Sequence, residues 1–97
     1  SKIDIGKFLI DINSRRLFLN KIHVNLTEKE INLILFLYNH KTPCSIEKLQ
    51  SNVWGFKKDL ETHTVETHFL NLRKKILKNF GENEFIIFNN KGYYIKN

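Results

Sequence analysis

The strongest constraint on this fold is the run over residues 62–78. Its apolar residues Val65, Phe69, Leu72 and Ile76 recur at i, i+4, i+7 and i+11, which places them on one narrow helical stripe that must be buried. The opposite face is basic and amide-rich, and it carries His63, Thr67, Leu70, Asn71, Lys74 and Lys78, flanked by His68, Lys75 and Arg73. A helix packed on one side and basic on the other is typical of an element that enters a DNA major groove. Taken alone, such a helix is more often a solvated Lys-rich face, and it is the neighbouring elements that favour DNA binding.

The composition favours a polyanionic partner. The chain has 97 residues, enough for one domain with its own core. It carries 16 Lys and Arg against 10 Asp and Glu, a net charge of +6 with a pI near 9.6. This balance favours nucleic acid or an anionic membrane surface. Because no apolar run approaches the ~20 residues that cross a bilayer and no signal peptide opens the chain, we expect a cytoplasmic protein.

Nothing in the sequence predicts catalysis, a metal or a cofactor. The single Cys44 cannot form an internal disulfide, and no group of Cys, His and carboxylates has metal-site spacing. There is no Gly-rich phosphate loop, and no Ser is placed to pair with a His and an acid. We therefore expect Cys44 to be a partly buried, small apolar residue in a reducing compartment.

The first half of the chain reads as strands followed by a helix. Three short stretches separated by turn-forming residues, 7–12, 16–19 and 22–26, predict a small antiparallel sheet over residues 7–26. Thr27 and Glu30 form a capping box at the start of a helix over about 28–39. Since this helix is apolar nearly all round, we expect it to be central, with Ile31, Ile34, Leu35 and Tyr38 in the core.

The second half predicts two helices and a hairpin. Ser45 caps a helix over about 46–53, whose Leu49, Val53 and Trp54 face the core. The basic helix follows at about 62–79. Residues 85–96 then form a hairpin whose tip is basic and rich in Asn, which like Gly tolerates positive φ. These elements predict a single α+β domain over residues 1–97: a winged helix-turn-helix with an N-terminal antiparallel sheet, three helices and a C-terminal β-hairpin wing.

Four segments resemble, in order and spacing, the DNA-binding effector domain of the OmpR/PhoB family of bacterial response regulators. They are L-T-E-K-E at 26–30, N-V-W-G at 52–55, T-V-E-T-H-F-L-N-L-R-K-K-I at 64–76 and K-G-Y-Y-I at 91–95. The resemblance covers essentially the whole chain, including the N-terminal sheet. It implies a sequence-specific double-stranded DNA-binding domain of a two-component-type transcriptional regulator, and a receiver domain as an expected partner.

The resemblance also implies a role for individual residues. On the helix in the major groove, Thr67, Leu70, Asn71 and Lys74 would face bases. The other expected DNA contacts of this helix, mainly to phosphates, are His63, Thr64, His68, Arg73 and Lys78. Asn89 and Lys91 would lie on the wing in the neighbouring minor groove. The loop before the helix would be a surface for RNA polymerase, formed by Phe56, Lys57, Lys58, Asp59 and Leu60.

Departures from the family pattern bear on base preference. The family often has Arg where this chain has Leu70 or Asn71, and Arg-Gly where the wing tip has Asn89 and Asn90. An Asn pairs bidentately with adenine, and a Leu packs on the thymine methyl group, so the helix favours A·T pairs. Asn89 with Lys91 likewise favours a narrow, A·T-rich minor groove.

The same basic residues are also compatible with two functions other than DNA binding. The alternatives are a winged helix that binds an acidic protein partner and an RNA-binding domain. For the DNA-binding reading, we expect Arg73, Lys74, Lys75, Lys78 and Lys91 to provide the phosphate footprint. A single recognition helix reads too few base pairs to select one operator. Because no long apolar helix offers a two-fold interface, we expect a monomer in solution that binds tandem half-sites.

Overall fold

The computed structural model describes residues 1–55 and 62–96. Within these ranges the chain forms an N-terminal sheet, three α-helices and a C-terminal hairpin, in that order. The strands of the sheet are β1 (Lys2–Ile5), β2 (Phe8–Asp11), β3 (Arg16–Leu19) and β4 (Ile22–Asn25). The helices are α1 (Glu28–Tyr38), α2 (Ile46–Leu49) and α3 (Thr62–Phe80), and the hairpin consists of β5 (Ile86–Asn89) and β6 (Gly92–Ile95). The architecture is a winged helix-turn-helix.

The N-terminal sheet is antiparallel, with the strand order β1-β2-β3-β4. The sequence predicts three strands over residues 7–26, and the omission of β1 is wrong. β1 is a four-residue strand of alternating charged and apolar residues, and a tight turn at Gly6 returns the chain so that Ile5 lies opposite Phe8. Its inward residue Ile5 is fully buried with Ile10 and Leu17, so β1 completes the inner face of the sheet.

Helix α1 begins with the predicted capping box. The Glu30 amide donates to the Thr27 hydroxyl at 3.1 Å, and the Thr27 amide donates to the Glu30 carboxylate at 2.8 Å. Leu33, Ile34 and Leu37 are buried in the middle of the helix. Tyr38 is 37% exposed, so its predicted core position is wrong. Tyr38 is the last residue of α1 and is turned about 100° from the buried Leu37.

Helix α2 is capped by Ser45, whose hydroxyl accepts the Lys48 amide at 3.1 Å. After Leu49 the chain continues directly into a π-helical segment, Gln50–Trp54. Val53 and Trp54 of that segment are partly buried and pack against the core, as does Leu35 of α1. Among the described residues, none of the helices combines the length and apolar character that crossing a membrane requires.

The hairpin is joined to the loop before α2. Tyr93 and Cys44 exchange two backbone hydrogen bonds, at 2.8 and 2.9 Å, as one antiparallel bridge. Gly92 lies so close to this loop that a Cβ atom on it would stand 2.2 Å from the Cys44 carbonyl oxygen. The wing therefore has a fixed position relative to the helices. Cys44, predicted to be partly buried, is only 1% exposed because the wing covers it.

Candidate nucleic-acid interface

Helix α3 is held by the apolar stripe that the sequence predicts. Val65, Phe69, Leu72 and Ile76 are each at most 2% exposed. Because these four residues lie on one side, the opposite side is directed to solvent along the length of the helix. Because the apolar stripe is buried, the basic face on the other side of α3 is exposed to solvent.

The exposed face of α3 gathers most of the predicted site residues. His63, Thr67, Asn71, Arg73, Lys74 and Lys78 are all exposed, and so is Leu70. Thr67, Asn71, Lys74 and Lys78 succeed one another at i, i+4, i+7 and i+11, so they form one row along the outer surface. The row presents a hydroxyl, an amide and two ammonium groups at spacings that a groove-bound helix needs.

Most cations of this face have no acidic partner among the residues that the structure describes. Glu66 is the only acidic residue of α3, against Arg73 and three lysines. In the described part of the chain, Arg73, Lys74, Lys78 and Lys91 have no ion-pair partner. A cation without an internal partner remains available to a phosphate, so these four side chains can supply an electrostatic footprint.

Lys75 departs from this picture. The sequence places it with the phosphate-binding cations, but its Nζ lies 2.7 Å from a Glu30 carboxylate oxygen and 3.1 Å from the Asn25 carbonyl oxygen. The Lys75 side chain is 28% exposed and directed toward the start of α1. A carboxylate inside the protein already holds its ammonium group, so Lys75, unlike Arg73 and Lys74, is not an unpaired cation of this face within the described residues.

The side chain of Thr67 also has an internal bond. Its hydroxyl donates to the His63 carbonyl oxygen one turn earlier, at 3.0 Å. Because the hydroxyl proton is already donated to His63, the Thr67 side chain has an acceptor oxygen and a methyl group left for contacts with DNA.

His68 and Thr64 lie at the border of the exposed face and are half-buried. The His68 ring packs 5.0 Å from the Trp54 ring, and Lys29 of α1 lies on the same indole at 5.6 Å while donating to the Val53 carbonyl oxygen. The indole thus supports one edge of α3, and His68 reaches the surface beside it.

The five loop residues predicted to face RNA polymerase, Phe56, Lys57, Lys58, Asp59 and Leu60, lie outside the described residues.

Leu70 stands on the other flank of α3. It is 51% exposed, and Leu77, two turns later on the same side, is 50% exposed. Together with Phe85 and Ile86 they line a groove of about 250 Å³, whose polar lining residues are Arg73, Lys74, Glu82 and Asn83. Leu70 is therefore a surface residue, and Leu77 belongs to the same surface. The sequence did not single out Leu77, although its spacing of seven residues from Leu70 was a usable signal.

The wing tip is ordered by a side chain that was expected to reach DNA. The Asn89 carboxamide oxygen accepts the Lys91 amide at 2.8 Å and closes the turn, while Lys91 itself is exposed. Asn89 and Asn90 keep negative φ, and within the described hairpin only Gly92 has positive φ, at 131°. The predicted hairpin is confirmed; its positive φ falls on Gly92, and the Asn89 side chain bonds the backbone of the turn.

Tyr93 couples the wing to α3. Its ring stacks on Phe69 with centroids 4.0 Å apart and planes inclined by 8°. Burial raises the pKa of the Tyr93 hydroxyl, with a further increase from nearby Glu66 that Arg73 opposes. The hydroxyl is therefore protonated at neutral pH. It lies at a cleft of about 280 Å³ between helix and wing, whose other polar side chains include His63, Thr67 and Arg73.

These features define the class: a winged helix-turn-helix with a basic recognition helix and an ordered wing beside it. The family described as "Transcriptional regulatory protein, C terminal" matches residues 21–95, and the chain belongs to it. The resemblance to the OmpR/PhoB effector domain is thereby confirmed.

Named relatives agree with this membership. Transcriptional regulatory protein VxrB of Vibrio cholerae is 36% identical over 77 residues, which cover 78% of this chain and 31% of that protein. Transcriptional regulatory protein PrrA of Mycobacterium leprae is 35% identical over 80 residues, 81% of this chain and 34% of that protein. The chain thus spans about a third of the length of these relatives.

Two similar solved structures contain DNA. The AdeR response-regulator DNA-binding domain, in complex with an intercistronic region, has a TM-score of 0.80 at 25% identity and covers 98% of this chain and 99% of that one. The Klebsiella pneumoniae RstA DNA-binding domain, in complex with the RstA box, has a TM-score of 0.77 at 28% identity, with coverages of 98% and 96%. The DNA-binding domain of E. coli CadC, at 22% identity and a TM-score of 0.82, shares the fold.

Proposed function

We propose that this chain is the sequence-specific, double-stranded DNA-binding domain of a bacterial transcriptional regulator of the two-component type, and that it acts by binding, without catalysis. One observation carries the proposal: α3 exposes a row of polar and basic side chains directly opposite a fully buried stripe. In this proposal α3 enters the major groove and the wing enters the adjacent minor groove. The two similar domains that were solved on DNA support it.

Different side chains would attract and read the DNA. Arg73, Lys74, Lys78 and Lys91 lack internal partners among the described residues, so they would bind phosphates and contribute affinity without sequence information. Asn71 is exposed in the middle of the row, where a carboxamide pairs bidentately with adenine. Leu70 would pack on a thymine methyl group. The resulting preference is for A·T pairs.

The test separates reading from attraction. Replacing Asn71 by Ala should cost about 1–3 kcal/mol of binding free energy on the best duplex from a random-sequence selection, and much less on random duplex. Replacing Arg73 by Ala is the matched control and should weaken both duplexes alike. Circular dichroism checks that both variants are folded. Equal losses on both duplexes for Asn71→Ala would exclude it as a reading residue.

Partners beyond DNA form a second part of the proposal. Two copies would bind tandem half-sites, because one recognition helix offers too few base contacts to select an operator. A receiver domain and RNA polymerase are the expected protein partners, the latter through the loop over residues 56–60. Changes at Lys57 and Asp59 that spare DNA binding but reduce transcription would support the polymerase contact. Unchanged transcription would oppose it.

A protein-binding winged helix is the second candidate function, and one observation favours it. Leu70 and Leu77 are each about half exposed and line a largely apolar groove. Its charged lining residues are two cations, Arg73 and Lys74, against one carboxylate, Glu82, a balance that would suit an acidic partner. Titrating the domain with A·T-rich duplex, G·C-rich duplex and structured RNA discriminates the functions. Binding to none of the three nucleic acids would favour the protein partner, and preference for the RNA would favour the RNA-binding alternative.

A further inference from the structure

The ion pair between Lys75 and Glu30 joins three elements of the fold. The Glu30 carboxylate oxygen that accepts the Thr27 amide at 2.8 Å also accepts the Lys75 ammonium at 2.7 Å. Lys75 donates a second bond to the Asn25 carbonyl oxygen, at 3.1 Å. The end of β4, the first turn of α1 and the middle of α3 therefore meet at one ammonium–carboxylate pair.

The surroundings make this contact directional. Glu30 is 4% exposed, so its carboxylate depends on these donors for the hydrogen bonds that water would otherwise supply. The buried stripe of α3 packs through apolar side chains, which resist separation but allow small rotations and slides. A charged hydrogen bond with a defined length restricts such movements. The pair is therefore suited to set the angle of α3 on the body of the domain.

The position of Lys75 connects this restraint to the exposed face. Lys75 follows Asn71 by one helical turn, so the two side chains leave the same flank of α3. A small rotation of the helix about its axis would move the Asn71 carboxamide relative to a base edge. It would disturb the long, flexible side chains of Lys74 and Lys78 much less, because they can still reach a phosphate.

We propose that Glu30 and Lys75 are a positioning pair for DNA recognition, which holds α3 at the angle where Asn71 reads a base. Lys75 then contributes to specificity without touching DNA. The inference rests on the proposed function, because it presupposes that α3 reads duplex DNA. It predicts that Arg73, Lys74, Lys78 and Lys91 carry the salt dependence and that Lys75 does not.

The test compares Lys75→Met with Lys78→Met on the selected duplex and on random duplex over a range of salt. Lys75→Met should weaken the selected duplex about tenfold, the size of one imperfect base contact. Its Kd on random duplex should change by less than about twofold, with the salt slope unchanged. Lys78→Met should weaken both duplexes and lower the magnitude of the slope by about 0.9, as one lost phosphate contact does. A Lys75→Met variant that behaves like Lys78→Met would overturn the inference.

A double variant separates positioning from stability. Lys75→Met leaves a buried carboxylate without its cation, so this variant is expected to lower the urea midpoint. In Glu30→Gln/Lys75→Met the carboxamide oxygen can still accept the Thr27 amide, and no buried charge remains, so the midpoint should return toward that of the wild type. The tenfold loss on the selected duplex should persist. If specificity returns together with stability, the pair is structural only and the inference fails.

A conservative substitution at Lys75 tests whether a cation at this position is what maintains specificity. Lys75→Arg keeps a cation within reach of Glu30 and should retain more specificity than Lys75→Met; equal losses in both would count against the pair. The measurement on the wild-type chain separates a failure of the proposed function from a failure of the positioning role. If the unmodified chain shows no preference for duplex DNA, the proposed function fails. If it binds specifically and Lys75→Met binds as well as the wild type, only the positioning role fails.

Discussion

Replacing Gly92 by Ala should destabilise the domain more than any other glycine change within the described residues. The new Cβ would stand 2.2 Å from the Cys44 carbonyl oxygen and 2.5 Å from its carbon, both in the backbone. Ordinary contact begins near 3.4 Å, so the strand and the loop must separate by more than 1 Å. That separation breaks the two hydrogen bonds between Tyr93 and Cys44.

The expected size follows from these two effects. Ala at φ 131° is strained by about 1–3 kcal/mol, and the two lost backbone bonds cost about 1 kcal/mol each. The total is about 3–5 kcal/mol, a large part of the roughly 5–15 kcal/mol that stabilises a domain of this size. Urea unfolding followed by circular dichroism measures the loss.

Gly81 is the matched control. It also has positive φ, 68°, but a Cβ there would have nothing within 4 Å. Gly81→Ala should therefore cost only the left-handed strain, about 1–2 kcal/mol. A loss at Gly92 no larger than the loss at Gly81 would refute the claim that close packing fixes the wing on the loop before α2.

Three further results are expected. Phe69→Ala should lower the free energy of unfolding by about 3–5 kcal/mol, measured by urea unfolding, and should lose DNA binding only where the domain unfolds. Burial raises the pKa of Cys44 above its ordinary 9.0; the unfolded chain then loses this proton first, so stability should fall as pH rises past 9, and Cys44→Ala should reduce that fall. Binding to two half-sites about 10–11 base pairs apart should be much tighter than to one, and inserting about five base pairs should abolish the gain in a gel-shift titration; retained affinity, or a stable dimer of the free domain by sedimentation, would contradict the tandem arrangement.

Periodicity and capping predicted the elements that position the site. The sequence predicted the buried stripe of α3, Val65, Phe69, Leu72 and Ile76, because a helix with one buried face repeats its apolar residues regularly. The sequence predicted the capping box at Thr27 because both of its partners lie within one turn. Both patterns involve only residues that are close together along the chain, so one sequence is enough to recognise them. Family resemblance added the implied DNA contacts, which stay predictions residue by residue.

The features that the sequence missed depend on contacts between distant residues. Lys75 looks like any other cation of the basic face until α1 brings Glu30 to it, 45 residues away in sequence. The close approach of Gly92 to Cys44 is likewise invisible before the hairpin is placed. β1 was missed because four alternating residues are a weak strand signal without their pairing partner. Tyr38 was misplaced because the nearly all-apolar α1 does not reveal where its buried arc ends.

A salt titration of binding to A·T-rich duplex measures whether the exposed basic face of α3 binds the phosphate backbone. If about three to five phosphates are contacted per domain, log K should fall linearly with log salt with a slope of roughly −3 to −5. We expect a slope in that range, together with tighter binding to A·T-rich than to G·C-rich duplex. A slope near zero would contradict DNA binding by this face.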